Sequence, residues 1–565
     1  MKGHGSAMAQ RANGKNSREE YRRIQERKRS KVLKRTNART VSDDPYNTMR
    51  SGNVERTSTR AERQRRKRER RKQKRSTARG MFLLVVQVIA LMALMLSLFS
   101  LNALPTEYLL IIGCILILAA GITLGTQLST KKQRIAGKVF SLLITTIMIG
   151  ATYLVIKTDN VFNMVANSSN YKVDQMVVAV LKDDEAETLA DAANYRFGVQ
   201  YAKDTKNMED AVSTITAEMS TPINTEELGG ISEQGKALAS GAVQAIVYNE
   251  GYTEILSSSV EGFEDKIKVI YKYDVKTELQ DLTIDMAVNE ESFAVFISGI
   301  DVYGDISTTS NSDVNIIAVV NPKSHQVLLI TTPRDYYVPI PGISEGRNDK
   351  LTHAGIYGVQ ASMNTLEALY ELEIPFYTRI NFTSLVDIVD AMGGVDVELG
   401  EEEAITVGRH TGIRSEYVDL QVGMNHLNGE QALMFARERK GYLTGDNQRG
   451  KNQQTLITAM VKKMISPTMI IKANGLLDAV AGKVDTNMTP DQIRSLIKQQ
   501  MRTNGKWKFT SMSAEGEETM AQAYSTGTME VSVIVPNEYS VQEIITAIDK
   551  VFAGKDLEES TVIGE

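Results

Sequence analysis

Three runs without a charged side chain follow one another early in this chain, and no water-soluble fold accommodates all three. Met81–Thr106 and Tyr108–Thr130 contain no Asp, Glu, Lys or Arg, and Val139–Ile156 is fenced by Lys138 and Lys157. A bilayer-spanning helix needs roughly 17–25 apolar residues, so each run predicts one span. The first link, Asn102 to Glu107, has no basic residue, whereas the second carries Lys131, Lys132 and Arg134. Ahead of the runs, residues 1–80 hold 27 Lys/Arg against 8 Asp/Glu. This asymmetry predicts a cytoplasmic amino terminus and second link, with the chain beyond Thr158 outside the cell. A cleaved signal peptide is not expected, because the arm is too long and three spans follow it.

The net charge of −4 conceals that split, since the residues after position 80 carry 23 negative charges in excess. The arm reads as a disordered topogenic tail resting on anionic headgroups. Runs such as Arg65-Arg66-Lys67-Arg68 would also suit nucleic acid, but the arm is poor in apolar residues and has no zinc-ligand spacing, so no nucleic-acid partner is expected. The single cysteine, Cys114, lies in the second apolar run. No intramolecular disulfide can form, and the exterior part must hold together by its hydrophobic core.

We read five segments: a basic arm (1–80), three transmembrane helices (81–157), a small α/β accessory module (158–285), a larger domain (286–550) and an acidic tail (551–565). In the module, Val177–Leu181 and Ile267–Tyr271 predict strands, and Met208–Met219 and Gln234–Val243 predict helices. It holds no catalytic constellation and reads as a spacer or partner-binding unit. In the larger domain, Phe293–Ile300, Val314–Val320 and Val327–Thr332 predict strands, the last two joined by the turn Asn321-Pro-Lys-Ser324. Helical periodicity follows over Ile356–Leu372, Ser384–Met392 (stopped by Gly393-Gly394), Gly429–Phe435, Gln453–Ile465 and Asp491–Met501, with a strand at Val395–Leu399. The fold class expected is α/β, an α-β-α sandwich around a central mixed sheet.

If the three strands are consecutive and antiparallel, Asp301, Asp313 and Arg334-Asp335 fall on one edge of the sheet. Arg437 and Arg439 would diverge by about 200° on a helix but point the same way on extended chain. A helix ending near Ala436 would therefore aim both at one ligand. Arg449 and Gln453, four apart, share a face at the start of the next helix. A guanidinium is a permanently charged fork that pairs with phosphate oxygens, and several converging forks suit a pyrophosphate. Asp301 and Asp313 supply hard oxygens for Mg²⁺, which typically takes one or two carboxylates plus substrate phosphate. Phosphoryl transfer demands mainly positioning and charge neutralisation, so the lack of a Ser-His or Cys-His pair is no objection. Each charge taken singly would suit a solvated surface; their convergence is what marks a site. The histidines at 4, 325, 353, 410 and 426 have no metal-ligand spacing, and no Walker or dinucleotide fingerprint is present.

At these residues the sequence resembles the LytR-CpsA-Psr family of Gram-positive cell-envelope proteins. The matching pieces are Ser312-Asp-Val-Asn-Ile-Ile, Leu328 to Ile340, Lys350-Leu-Thr-His-Ala-Gly355, Ile380-Asn-Phe-Thr-Ser-Leu-Val-Asp, Met392-Gly-Gly-Val-Asp-Val, and Leu427 through Gln453. The three-span anchor with an intervening module resembles the capsule-associated branch. The resemblance implies a catalytic domain outside the cell that binds a polyprenyl-pyrophosphate glycopolymer. It would transfer the teichoic acid or capsular polysaccharide to peptidoglycan, as a phosphodiester with a MurNAc hydroxyl. By position, Asp301 and Asp313 would carry Mg²⁺. Arg334, Arg437, Arg439 and Arg449 would hold the pyrophosphate with help from Gln453; Lys350 would bind the substrate or stand behind these residues with Asp335. Asp446 would orient or deprotonate the acceptor hydroxyl. Apolar residues of the helices from Ile356 and Ser384 would line a polyprenyl groove or serve as core. Two other readings remain: a lipid-pyrophosphate phosphatase with water as acceptor, and a membrane-bound transcriptional attenuator acting through the arm.

Overall fold

The computed structural model describes residues 48–165, 171–300, 305–411, 414–438, 441–442, 446–464 and 482–557. Residues 1–47 of the arm and the end of the tail lie outside this range. The chain divides into two compact units, one joining residues 1–83 with 124–138, the other holding 84–123 and 139–565.

Three helices, α1 (Thr48–Leu101), α2 (Thr106–Leu128) and α3 (Lys131–Val165), contain the three apolar runs and are long and apolar enough to cross a membrane. In the smaller unit, Lys138 Nζ donates to Ser76 Oγ at 2.7 Å. In the larger unit, Ala90, Leu94, Leu98 and Met148 form the contact between α1 and α3, while Leu96, Phe99 and Tyr153 are exposed, as side chains facing lipid would be.

The amino-terminal module is a five-stranded sheet. In chain order its elements are β1 (Tyr171–Leu181), β2 (Arg196–Val199), α4 (Thr205–Met219), β3 (Asn224–Glu227), α5 (Ile231–Ala239), β4 (Ala245–Asn249), α6 (Thr253–Ser259) and β5 (Ile267–Glu278). The strand order is β3-β2-β4-β1-β5. Alternation along β1 sends Met176, Val178 and Val180 to the core under α4, and Val177 and Ala179 to the core under α5 and α6.

The larger domain begins with β6 (Phe293–Ile300), β7 (Ser312–Asn321) and β8 (Gln326–Thr331), consecutive antiparallel strands as expected. There follow α7 (Val359–Tyr370), β9 (Phe376–Asn381), α8 (Phe382–Ala391), β10 (Val395–Leu399), α9 (Gly429–Arg437), α10 (Asp446–Met464), β11 (Asp485–Thr486), α11 (Pro490–Thr503), β12 (Lys508–Ser513) and α12 (Glu538–Phe552). The central sheet has the order β11-β9-β6-β7-β8-β12, with β9 parallel to β6 and β12 parallel to β8. Ile317, Val319, Leu328 and Ile330 pack against α7 and α12, while Ile316, Ala318, Val327 and Leu329 pack against α8, α9 and α10. Apolar residues on both faces of every central strand force helices onto both sides, giving the α-β-α sandwich with a mixed sheet.

Two helix starts and one strand near the site differ from the sequence reading. Gly358, at φ +108°, interrupts the helix expected from Ile356, which starts at Val359. Helix α10 begins at Asp446, seven residues before the expected Gln453, because its first two turns bury amides where apolar residues would have shown the period. Gln448 donates to Asn452 at 3.1 Å, and Gln454 reaches the carbonyls of Leu329 and Met512 at 3.1 Å each. Strand β9 was not anticipated, because the buried Arg379 interrupts its apolar pattern.

Helix α11 ties this domain to the ends of the spans. Thr489 caps it, with Pro490 in its first turn. Ile493 and Ile497 pack on Leu101, Ala103 and Phe162. Arg494 Nη2 donates to Asp159 at 2.6 Å, and Lys498 Nζ to Asn102 at 3.1 Å.

Candidate functional site

Strand register delivers the first charges. Ile300 pairs with Ser312 and Ile316 with Thr331, so the end of β6, the start of β7 and the end of β8 share one edge. Ser298 and Ser312 hydroxyls meet at 2.8 Å, and Asn315 Nδ2 holds the Ser312 carbonyl at 2.9 Å, fixing the backbone that presents Asp313. Arg334 Nη1 donates to Asp313 Oδ1 at 2.5 Å. Its Nη2 pairs with Glu254 on α6 of the amino-terminal module, and Asp335 approaches its Nε at 3.9 Å. Burial alone would lower the Arg334 pKa, but Asp313 and Glu254 more than reverse this and raise it above the ordinary arginine value. Burial likewise pushes the Glu254 carboxyl up, yet the Arg334 guanidinium holds it below the usual range. Each ion thus keeps the other charged.

The second group of cations comes from the helices behind the sheet. Asn428 opens α9 with a capping box on Gln431, and the helix ends with Arg437 before Glu438 turns extended at φ −67° and ψ 129°. Two amides of α10 cap the open end: Asn452 Nδ2 donates to the Phe435 carbonyl at 3.2 Å, and Gln453 Nε2 to that of Ala436 at 3.3 Å. With the two helices so joined, Arg437 and Arg449, the latter only 8% exposed, line one cavity. The Arg437 guanidinium stacks over the Phe382 ring at 4.2 Å from its centroid.

Asp313, Arg334, Arg437, Arg449 and Gln453 all line one cavity of about 750 Å³. Its apolar floor includes Val314, Ile380, Phe382, Leu385 and Leu433. Residues from both ends of the sequence motif therefore meet, and Leu385 on the helix expected from Ser384 does reach the cavity. Ile356 instead packs into the core of the amino-terminal module. Lys350, expected among the substrate-binding residues, does not line the cavity: its Nζ donates to Asp335 Oδ1 at 2.8 Å, behind Arg334. Asp301, Arg439 and the side chain of Asp446 lie outside the described residues.

Two residues here escaped the sequence reading. Glu254 lies 80 positions before Arg334, and a lone carboxylate on a helix gives no signal of such a contact. Arg379 on β9, 5% exposed, donates to the Ile306 and Thr308 carbonyls at 3.1 and 3.0 Å and faces Asp485 at 3.6 Å. It fixes the loop between β6 and β7, and the one sign of it was an arginine inside the run Phe376-Tyr-Thr-Arg-Ile380.

Around Arg334, the carboxylates Asp313, Glu254 and Asp335 outnumber the cations Arg334 and Lys350. The buried Asn311 Oδ1 beside them has no hydrogen-bond partner. Asp313, the described one of the two carboxylates expected to hold Mg²⁺, is engaged by Arg334. Among the described residues no group of three or more His, Cys, Asp or Glu could hold a metal by itself.

The LytR-CpsA-Psr family model matches residues 252–539, slightly over half the chain. A polyisoprenyl-teichoic acid–peptidoglycan teichoic acid transferase TagU from Enterococcus faecalis is 31% identical over 230 residues, which cover 40% of this chain and 72% of that protein. Its counterpart from Bacillus mycoides is 33% identical over 209 residues, covering 37% of this chain and 64% of that one. Among solved structures, B. subtilis TagV aligns at 23% identity with a TM-score of 0.40, covering 47% of this chain and 99% of the other. A TagT bound to LIIa-WTA aligns at 24% identity with a TM-score of 0.38, covering 48% and 94%. The family match begins just before Glu254 and encloses Asp313, Arg334, Arg437, Arg449 and Gln453, and the chain belongs to the LytR-CpsA-Psr family.

Proposed function

We propose that this protein transfers a polyprenyl-pyrophosphate-linked glycopolymer, a teichoic acid or capsular polysaccharide, to peptidoglycan on the outer face of the membrane. The observation that carries the reading is the convergence of Arg334, Arg437 and Arg449 on one cavity with an apolar floor. The cations suit a pyrophosphate and the floor suits the first isoprene units of its lipid.

In the reaction, a MurNAc hydroxyl oxygen attacks the phosphorus attached to the glycopolymer. A new P–O bond forms, the bridging P–O bond of the pyrophosphate breaks, and polyprenyl monophosphate departs. The hydroxyl proton passes to a base, for which Asp446 at the start of α10 is our candidate. Arg437 and Arg449 hold the pyrophosphate oxygens and stabilise the charge that grows on the leaving phosphate. Arg334, held between Asp313 and Glu254, sits at the opposite side of the same ligand. Mg²⁺, held by Asp313 with Asp301, would neutralise phosphate charge when bound. Arg439 would join the pyrophosphate grip, and Gln453 and Lys350 position Arg437 and Arg334 through Ala436 and Asp335.

The positive-inside pattern places the arm in the cytoplasm, away from this chemistry. Deleting residues 1–78 should therefore leave transfer to peptidoglycan intact in membranes, while Arg437→Ala should abolish it. Loss of function on deletion with a silent Arg437→Ala would overturn the reading in favour of an attenuator acting through the arm.

A further inference from the structure

The cavity wall formed by the amino-terminal module is polar where the floor is apolar. Gln175 comes from β1, Glu250 from the turn after β4, Glu264 from the turn before β5, and Lys272 from β5 itself. Lys272 Nζ holds Glu250 at 2.5 Å, Gln175 Nε2 donates to Asp274 at 3.0 Å, and Ser257 Oγ donates to Glu264 at 3.2 Å. Above them stands Asn311, 8% exposed, which gives its Nδ2 to Glu254 at 2.6 Å. The residue lines the same cavity, and its Oδ1 is buried without a hydrogen-bond partner. A buried amide oxygen left without a donor is unfavourable, so this corner of the wall is one hydrogen bond short.

This wall is fixed to the loop between β6 and β7. Val173 on β1 bridges Thr308, Thr309 N donates to the Val173 carbonyl at 2.9 Å, and Thr309 Oγ1 donates to the buried Asp174 at 2.5 Å. The cavity also has far more volume than a pyrophosphate fills. Its remaining space is bounded by carboxylates, amides and hydroxyls, groups that pair with sugar hydroxyls in either direction. Glu264, which accepts from Ser257 at 3.2 Å, would repel a phosphate repeat, so the space suits neutral or amino sugars rather than an anionic polymer backbone.

We propose that the amino-terminal module completes the active site. Gln175, Glu250, Glu264, Lys272 and Asn311 form a carbohydrate subsite for the first, uncharged sugars of the donor, next to the pyrophosphate. This deepens the transferase reading and rests on it. Gln175 and Glu250 lie ahead of the span the family model matches.

The test measures binding of two probes to the full-length chain in detergent: polyprenyl pyrophosphate carrying two neutral sugars, and sugar-free polyprenyl pyrophosphate. The double variant Gln175→Ala/Glu264→Gln should weaken the sugar-bearing probe about tenfold, the loss expected for two hydrogen bonds, and change the sugar-free probe less than about twofold. Equal weakening of both probes, or of neither, would overturn the subsite. If the unaltered chain binds neither probe, the transferase reading itself fails and takes the subsite with it.

Discussion

The two sheets of this protein are built alike and end differently. Both the five-stranded sheet of the module and the six-stranded sheet of the catalytic domain bury apolar residues on both faces under helices. In the second, the strand ends and the helices behind them deliver Arg334, Arg437 and Arg449 to one cavity. In the first, the strand ends deliver carboxylates and amides, and Glu254 reaches over to pair with Arg334. Architecture alone therefore does not make a phosphate site. What makes one is whether the loops bring in cations, and whether buried anions hold them in place.

The comparison breaks most completely if the cations do not matter. Replacing Arg437 by Ala removes one of the charges proposed to hold the pyrophosphate, and transfer should fall by about 10²–10³-fold with the fold intact. The assay is the rate of glycopolymer attachment to peptidoglycan, alongside thermal unfolding.

Arg379 sharpens the same point on stability rather than rate. Arg379→Met leaves Asp485, 4% exposed, without its cation and frees the 306–308 loop, so it should destabilise the protein by about 3–5 kcal/mol. A drop in denaturation midpoint at constant slope in urea would show it.

The contact between α11 and the spans gives a third, smaller effect. Arg494→Ala removes the link to Asp159, so transfer from a donor embedded in vesicles should slow about tenfold. Transfer from a short-chain soluble donor should be unchanged. Equal slowing with both donors would mean that Arg494 supports the fold and does not set the height of the cavity.

The smallest effect lies between module and domain. Lys203 sits over the Tyr524 ring, which Arg347 also approaches at 4.5 Å. Burial and the Arg347 charge lower the Lys203 pKa to about 8. The unfolded chain then binds this proton more tightly than the folded one from there up to the ordinary lysine value, so stability rises with pH across that interval. Lys203→Met should raise the melting temperature by about 1–2 °C at pH 7, and the gain should vanish toward pH 10.

Much of this was legible in the sequence, for reasons that differ from part to part. The spans could be read because a run without charge has few alternatives. The strands β6, β7 and β8 could be read because their turn residues fall between apolar runs, and their order alone places Asp313 beside Arg334. The start of α10 was hidden because Gln448, Asn452 and Gln454 are buried for their hydrogen bonds, and a period built on apolar residues passes over them. Strand β9 was hidden by Arg379, a charge where a central strand normally has none. Glu254 could not be found at all, because its partner is brought to it by packing between two sheets. Of the two places read for Lys350, on the ligand or behind it with Asp335, its bond to Asp335 fits the second.

The most direct test follows the phosphorus. The full-length chain in vesicles is given a lipid-linked glycopolymer carrying labelled pyrophosphate, together with peptidoglycan and Mg²⁺, and all labelled products are counted. The account predicts one labelled phosphate in a phosphodiester on peptidoglycan for each polyprenyl monophosphate released, and neither product with Arg437→Ala. Polyprenyl monophosphate released with free phosphorylated polymer, and no label on peptidoglycan, would contradict it and make the protein a phosphatase.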